Sequence, residues 1–170
     1  MGVNFTSLFA YYLASPINWL IALLPQKYMI EIMNMLIVMK LCASSVTFSY
    51  YISKHFHTKK CTIALFGMFY ALSAYSAAYS WNIMWLDCLI LVPLIMLGLE
   101  RLVNENKCIF YCVTLGLCIF TNYYISIMVC ISVVIYFIVL MISYNGPVSI
   151  LQYVKKFINF CIYSLLAGGL

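Results

Sequence analysis

The stretch Ala78–Arg101, AYSWNIMWLDCLILVPLIMLGLER, decides the fold class of this chain. Its second half is an apolar run. Its first half closes the preceding apolar run with two tryptophans, one asparagine and one aspartate. Trp and Tyr collect where hydrocarbon meets water, because an apolar ring and a polar tip are both satisfied there. An aspartate in so short a segment is held next to hydrocarbon, where ionisable groups are more often functional than incidental.

Composition agrees. The 170 residues are 66% hydrophobic and only 8% charged, with a mean hydropathy of +1.05. A soluble domain carries about 25% charged residues, so this chain has too little charge to cover an aqueous surface. The long continuous apolar runs exclude a membrane β-barrel, which alternates apolar and polar residues. The expectation is an all-α, polytopic helical membrane protein with the lipid bilayer as its first partner. The net charge of +5 does not point to nucleic acid, because the bases fall in short loops between apolar runs.

Working outward, residues 1–27 form an aromatic, mildly polar segment. Ser15-Pro16 starts a short helix and Pro25 stops it. It is too short to cross about 30 Å of hydrocarbon, so it lies in the interface. Residues 28–170 form a bundle of about six helices, over 28–52, 62–80, 83–99, 108–121, 123–144 and 157–170. Pro93 predicts a kink. From Cys108 to Val154 no residue is charged. As one helix this run would measure about 70 Å, so it turns, and Asn122-Tyr123-Tyr124 is the polar place to do so. The final run ends in Ala167-Gly168-Gly169-Leu170 with no polar cap, which predicts a piece of a larger protein, truncated at both ends.

The loops sort by charge. Ser53–Lys60, Glu100–Lys107 and Ser143–Lys156 hold seven bases, against Lys27 alone on the alternate side. Positive loops stay cytoplasmic. Residues 1–27, the Trp–Asp turn and the Asn-Tyr-Tyr turn therefore face outward together.

Candidate site residues follow from that placement. Lys40, in the middle of its span, shares a helical face with Ser44, Thr47 and Tyr51. A lysine there needs a partner: it is a cation for a lipid-linked phosphate, a counter-ion for Asp87, or a base snorkelling to the surface. Asp87 is a base, a sugar-hydroxyl or metal ligand, or a helix-start acid held by the dipole. Trp81 and Trp85, with Asn82 between them, form a sugar-stacking platform or an interface belt. Asn122, Tyr123 and Tyr124 offer polar contacts in a cavity or simply close a hairpin. Tyr11 and Tyr12 offer contacts on the same side or anchor the interface. Ser73, Ala74, Ala77 and Ala78 have the spacing of a close helix-packing face. Glu100-Arg101 reads as a cytoplasmic helix end. His55 and His57 share a basic loop with no nearby acid, which predicts no metal site. The eight cysteines have no C-x-x-C pair and read as small buried hydrophobes. No nucleophile elbow, P-loop or zinc motif is present, and no cofactor is evident.

Several stretches carry a resemblance. MGVNF at the start, AYYLASPINWL at 10–20, LIVMKLCASSVTFSYYISKHF at 36–56, FYALSAYSAAYSWNIMWLDCLILVPLIMLGLERL at 69–102, TNYYISIMVCI at 121–131 and SLLAGGL at the end resemble the bacterial YfhO family of membrane proteins. That resemblance implies a GT-C-like helix bundle in the bacterial cytoplasmic membrane. It implies transfer of a sugar from an undecaprenyl-phosphate donor to an extracytoplasmic cell-surface polymer such as lipoteichoic acid. A separate carrier-loading membrane glycosyltransferase would supply the donor, and a divalent metal is compatible with the longer protein. The family's catalytic carboxylate is expected in an acidic outer loop before the MGVNF-like stretch. This chain has no acid before Glu31, so the catalytic residue is unknown, Asp87 is a weak candidate, and the piece alone is expected to be inactive. Lys40, Asp87 and the aromatic turns would then bind substrate. A transporter or lipid flippase, and a scaffold without chemistry, are the alternatives.

Overall fold

A computed structural model describes residues 26–58, 60–143 and 150–169. Tyr11, Tyr12 and the short helix expected at 16–24 lie outside them. The described residues form helices and no strand. After a 3-10 turn at Gln26–Tyr28 come α1 (Met29–His55), α2 (Thr62–Ala71) and α3 (Ala74–Tyr79). A second 3-10 turn, Ile83–Trp85, leads into α4 (Leu86–Glu105). Then follow α5 (Ile109–Thr121), α6 (Tyr123–Ile142) and α7 (Ile150–Gly168). The helical segments Met29–His55, Thr62–Tyr79, Ile83–Glu105 and Tyr123–Ile142 are long and apolar enough to cross a membrane. The chain is an all-α polytopic membrane bundle.

The most buried helix is α4, which packs against α1 on one side and α5 and α6 on the other. Leu86, Ile95, Leu99 and Tyr111 are fully buried at its contacts. Large side chains on the outer faces stay exposed, such as Ile30, Phe69, Ile109 and Ile142. In hydrocarbon such faces need no cover, because lipid is as apolar as they are.

Two glycines set the closest approaches. A Cβ on Gly67 of α2 would sit 2.1 Å from Ser49 Oγ and 2.6 Å from the Ser45 carbonyl of α1. A Cβ on Gly98 of α4 would sit 2.9 Å from Tyr111 Cα of α5. The small-residue face expected at Ser73–Ala78 does not do this. Ala74, Ala77 and Ala78 are exposed, and the close crossing lies one turn and a half earlier, at Gly67.

The apolar run 62–80 is not one helix. It breaks at Leu72-Ser73, where Ser73 is extended (φ −63°, ψ 162°) and its carbonyl accepts the Ala77 N–H at 3.1 Å. Serine suits such a helix start. Pro93 lies inside α4, which runs on as helix to Glu105. The last helix begins at Ile150, seven residues before the start expected from the lysines. Gln152, Lys155, Lys156 and Asn159 fall at helical spacing, so the charges ride on one face of an amphipathic helix rather than in a loop.

Candidate functional site

The polar stripe of α1 turns inward, as helical spacing requires. Leu36, Lys40 and Ser44 are buried. The Ser44 and Thr47 hydroxyls donate back to the carbonyls of Leu41 (2.8 Å) and Ser44 (3.0 Å), which satisfies them within their own helix. Lys40 reaches across to α4. Its Nζ lies 2.8 Å from Asp87 Oδ1, with the two side chains 0% and 4% exposed. It also donates to the Ile83 carbonyl at 3.0 Å. The 3-10 turn and the first turn of α4 thus present both acceptors to one ammonium. Asp87 stands in the first turn of a 20-residue helix, where the dipole favours a negative charge.

The tryptophans part company. Trp81 is 70% exposed and its indole N–H donates to the Ala78 carbonyl at 3.0 Å. Trp85 is half-buried in a row of rings, 5.3 Å from Tyr79 and 6.1 Å from Tyr124, with Tyr75 a further 5.3 Å beyond Tyr79. Trp85 thus lies beside Tyr124 of a different turn rather than beside Trp81. Asn82 is buried and its backbone shapes the bend: its N–H donates to Tyr79 and its carbonyl accepts from Trp85, both at 2.9 Å.

Asn122 is fully buried. Its Oδ1 accepts the Ile125 N–H at 3.0 Å, capping α6. Capping and closing the hairpin are thus Asn122's principal work. Tyr123 points outward at 49% exposure and Tyr124 is 45% exposed while meeting Trp85. The structure brings together Lys40 with Asp87, and Trp85 with Tyr124; Trp81 and Tyr123 stand away from both pairs.

Around this end lie buried polar atoms with no hydrogen-bond partner among the described residues: Tyr75 Oη, Ser76 Oγ, Trp85 Nε1, Asp87 Oδ2 and Asn122 Nδ2. A buried polar group left unpaired costs about 1–3 kcal/mol, so such a concentration marks a place prepared for a polar guest or ordered water. Sequence reasoning missed Tyr75 and Ser76. Their signal was the i, i+4 spacing of Tyr75 and Tyr79 ahead of the tryptophans.

A second polar knot was also missed. Glu100 Oε1 accepts from Tyr51 at 3.2 Å, from Tyr136, and meets His55 Nδ1 at 2.7 Å. The Tyr51 and Tyr136 hydroxyls are 2.9 Å apart. His55 is therefore the last residue of α1 with an acidic partner, not a loop residue without one. Glu100 is a junction of α1, α4 and α6 rather than a plain helix end. Among the described residues no three His, Cys, Asp or Glu side chains group to hold a metal ion. All eight cysteines are free; Cys88 and Cys118 are buried as expected, but Cys42 and Cys61 are exposed and the other four only partly covered.

The family model described as bacterial membrane protein YfhO matches residues 1–170. The chain belongs to the YfhO family. No curated protein and no solved structure matches it. Family membership and the apolar helices together place the YfhO chain in a membrane. Its polar end offers a carboxylate with one oxygen held by Lys40, the separate indole N–H of Trp85 and amide of Asn122, and the Trp85 ring beside Tyr124. Such a set has the chemistry to accept from hydroxyls, to donate to oxygens and to present an aromatic ring face.

Proposed function

We propose that this YfhO-family chain is part of a GT-C-like membrane glycosyltransferase. It would transfer a sugar from an undecaprenyl-phosphate donor to an extracytoplasmic polymer such as lipoteichoic acid. The observation that carries the reading is the buried Lys40–Asp87 pair at 2.8 Å, surrounded by unpaired buried donors at the Trp-rich turn. A merely structural ion pair needs no such surroundings.

In the reaction, an acceptor hydroxyl oxygen bonds to the sugar C1 as the C1–O bond to phosphate breaks. The polyprenyl phosphate leaves with the electron pair, and a base takes the hydroxyl proton. Within this chain, Lys40 fixes the Asp87 carboxylate so that Oδ2 accepts a substrate hydroxyl. Trp85 and Tyr124 bear on the sugar ring. The proton-accepting base is assigned to none of these residues. Pre-set partners of this kind contribute by orientation.

Surface-polymer glycosylation in cells tests this. Asp87→Asn and Lys40→Met in the intact protein, at wild-type membrane abundance, are expected to lose it. Normal glycosylation in both variants refutes a substrate role. A second reading is favoured by the same buried pair. Ion pairs between spans also gate transporters, and a transporter would move substrate while leaving the polymer unmodified by its own action.

A further inference from the structure

At the end of the bundle away from Asp87, the C-termini of α1 and α4 enclose a cavity of about 560 Å³. Leu97 and Leu140 give it an apolar wall, and Lys54, His57, Arg101 and Asn104 give it a polar rim. Its two carboxylates are already engaged. Glu100 is occupied by Tyr51, Tyr136 and His55, and Glu105 is paired with Lys107 at 2.7 Å. Lys54 and Arg101 have no carboxylate within ion-pair distance among the described residues. They rest instead over the Tyr50 and Phe110 rings, at 5.7 and 5.2 Å. The two lining bases balance the two carboxylates, and with Lys107 neutralising Glu105 from outside, the bases facing the cavity outnumber the one remaining carboxylate, Glu100, by one.

The loop is built to hold one of those imidazoles there. α1 ends in a Schellman cap, with the Thr58 N–H donating to the Ser53 carbonyl at 3.2 Å. The left-handed residue of that cap is His57, at φ 49°. Glycine is the usual residue at this position. A histidine kept in a left-handed conformation and lining a cavity points to a role for its ring.

We propose that this cavity is a phosphodiester site that takes the headgroup of an anionic glycerophospholipid. The cations and the imidazole bind the phosphate, and Leu97 and Leu140 meet the acyl end. Basic pockets beside membrane helices recognise such headgroups. A free phosphate shares the headgroup chemistry but has nothing to place on the apolar wall.

Native mass spectrometry of the chain, titrated with phosphatidylglycerol or phosphatidylcholine, tests the assignment. Phosphatidylglycerol is expected to bind in preference. Each basic side chain near a lipid surface is worth about fivefold in affinity, so Lys54→Gln with Arg101→Gln should lose about 25-fold. His57→Gly, which suits the left-handed position and keeps the fold, should weaken binding as well. Lys107→Gln, which frees Glu105 at the lining, should weaken it too, whereas Lys27→Gln, at the other end of α1, should not. Equal uptake of the two lipids overturns the proposal. So does full phosphatidylglycerol binding by both His57→Gly and the double variant, or an equal loss in Lys27→Gln. Thermal protection by inorganic phosphate without phosphatidylglycerol binding reassigns the cavity to a free anion and overturns the lipid reading.

Discussion

Replacing Lys40 by methionine keeps the length of the side chain and removes its charge. It leaves Asp87, 4% exposed at its side chain, as an anion with no cation at 2.8 Å. Removing one partner of a buried pair costs about 3–5 kcal/mol. The low end applies here, because an unfolded span in lipid finds other partners. About 3 kcal/mol is about two powers of ten in the folded-to-unfolded ratio. Asp87→Leu should cost less, about 2 kcal/mol, since Lys40 keeps its bond to the Ile83 carbonyl and its stem can bend toward water. The double variant Lys40→Met with Asp87→Leu removes both charges together. Such replacements are often neutral or stabilising, so it should fall within about 1 kcal/mol of the parent instead of the sum of about 5 kcal/mol. The assay is equilibrium unfolding in bicelles, read by tryptophan fluorescence. A double variant as unstable as the sum of the singles would refute the coupling.

Gly67→Val should destabilise the bundle by about 1–3 kcal/mol, because its Cβ meets Ser49 Oγ at 2.1 Å; thermal melting reads this, and an unchanged midpoint contradicts the crossing. Tyr136→Phe should cost about 1.5–3 kcal/mol, the range for hydrogen bonds to charged groups, and Tyr51→Phe should add little to it because the two hydroxyls share one acceptor; strict additivity in unfolding measurements counts against the knot at Glu100. On a cysteine-free background, Met84→Cys should react with an impermeant maleimide from outside the cell while His57→Cys and Asn104→Cys react only after permeabilisation; the reverse pattern removes the outward site and the sugar-transfer proposal with it.

Residues that act through a single helix were legible in sequence. Lys40 and Ser44 sit four apart, and the period of 3.6 alone turns them to one side. Asp87 as counter-ion to Lys40 was one of three readings open to that lysine, and only the packing of α1 on α4 chose among them. Contacts assembled across helices left no local trace. Tyr51, Glu100 and Tyr136 are separated by 49 and 36 residues, and Tyr136 stands in an uncharged run that reads as plain hydrocarbon filler. Trp81 and Trp85 showed the converse failure. Their i, i+4 spacing suggested a shared face, but the 3-10 turn at Ile83–Trp85 rotates them apart and gives Trp85 to Tyr124. The alanines near Ser73 matched a packing pattern, yet a single glycine with two serines opposite made the close crossing.

The brevity of α5 has its own consequence. Its 13 residues rise about 20 Å, about 10 Å less than the thickness of a bilayer's oily interior. The chain reverses there with Asn122 wholly sealed from solvent, so the α5–α6 bend stops partway through the slab. Trp85, beside Tyr124 at that bend, then sits nearer the middle of the hydrocarbon than a ring at the end of a full-length helix.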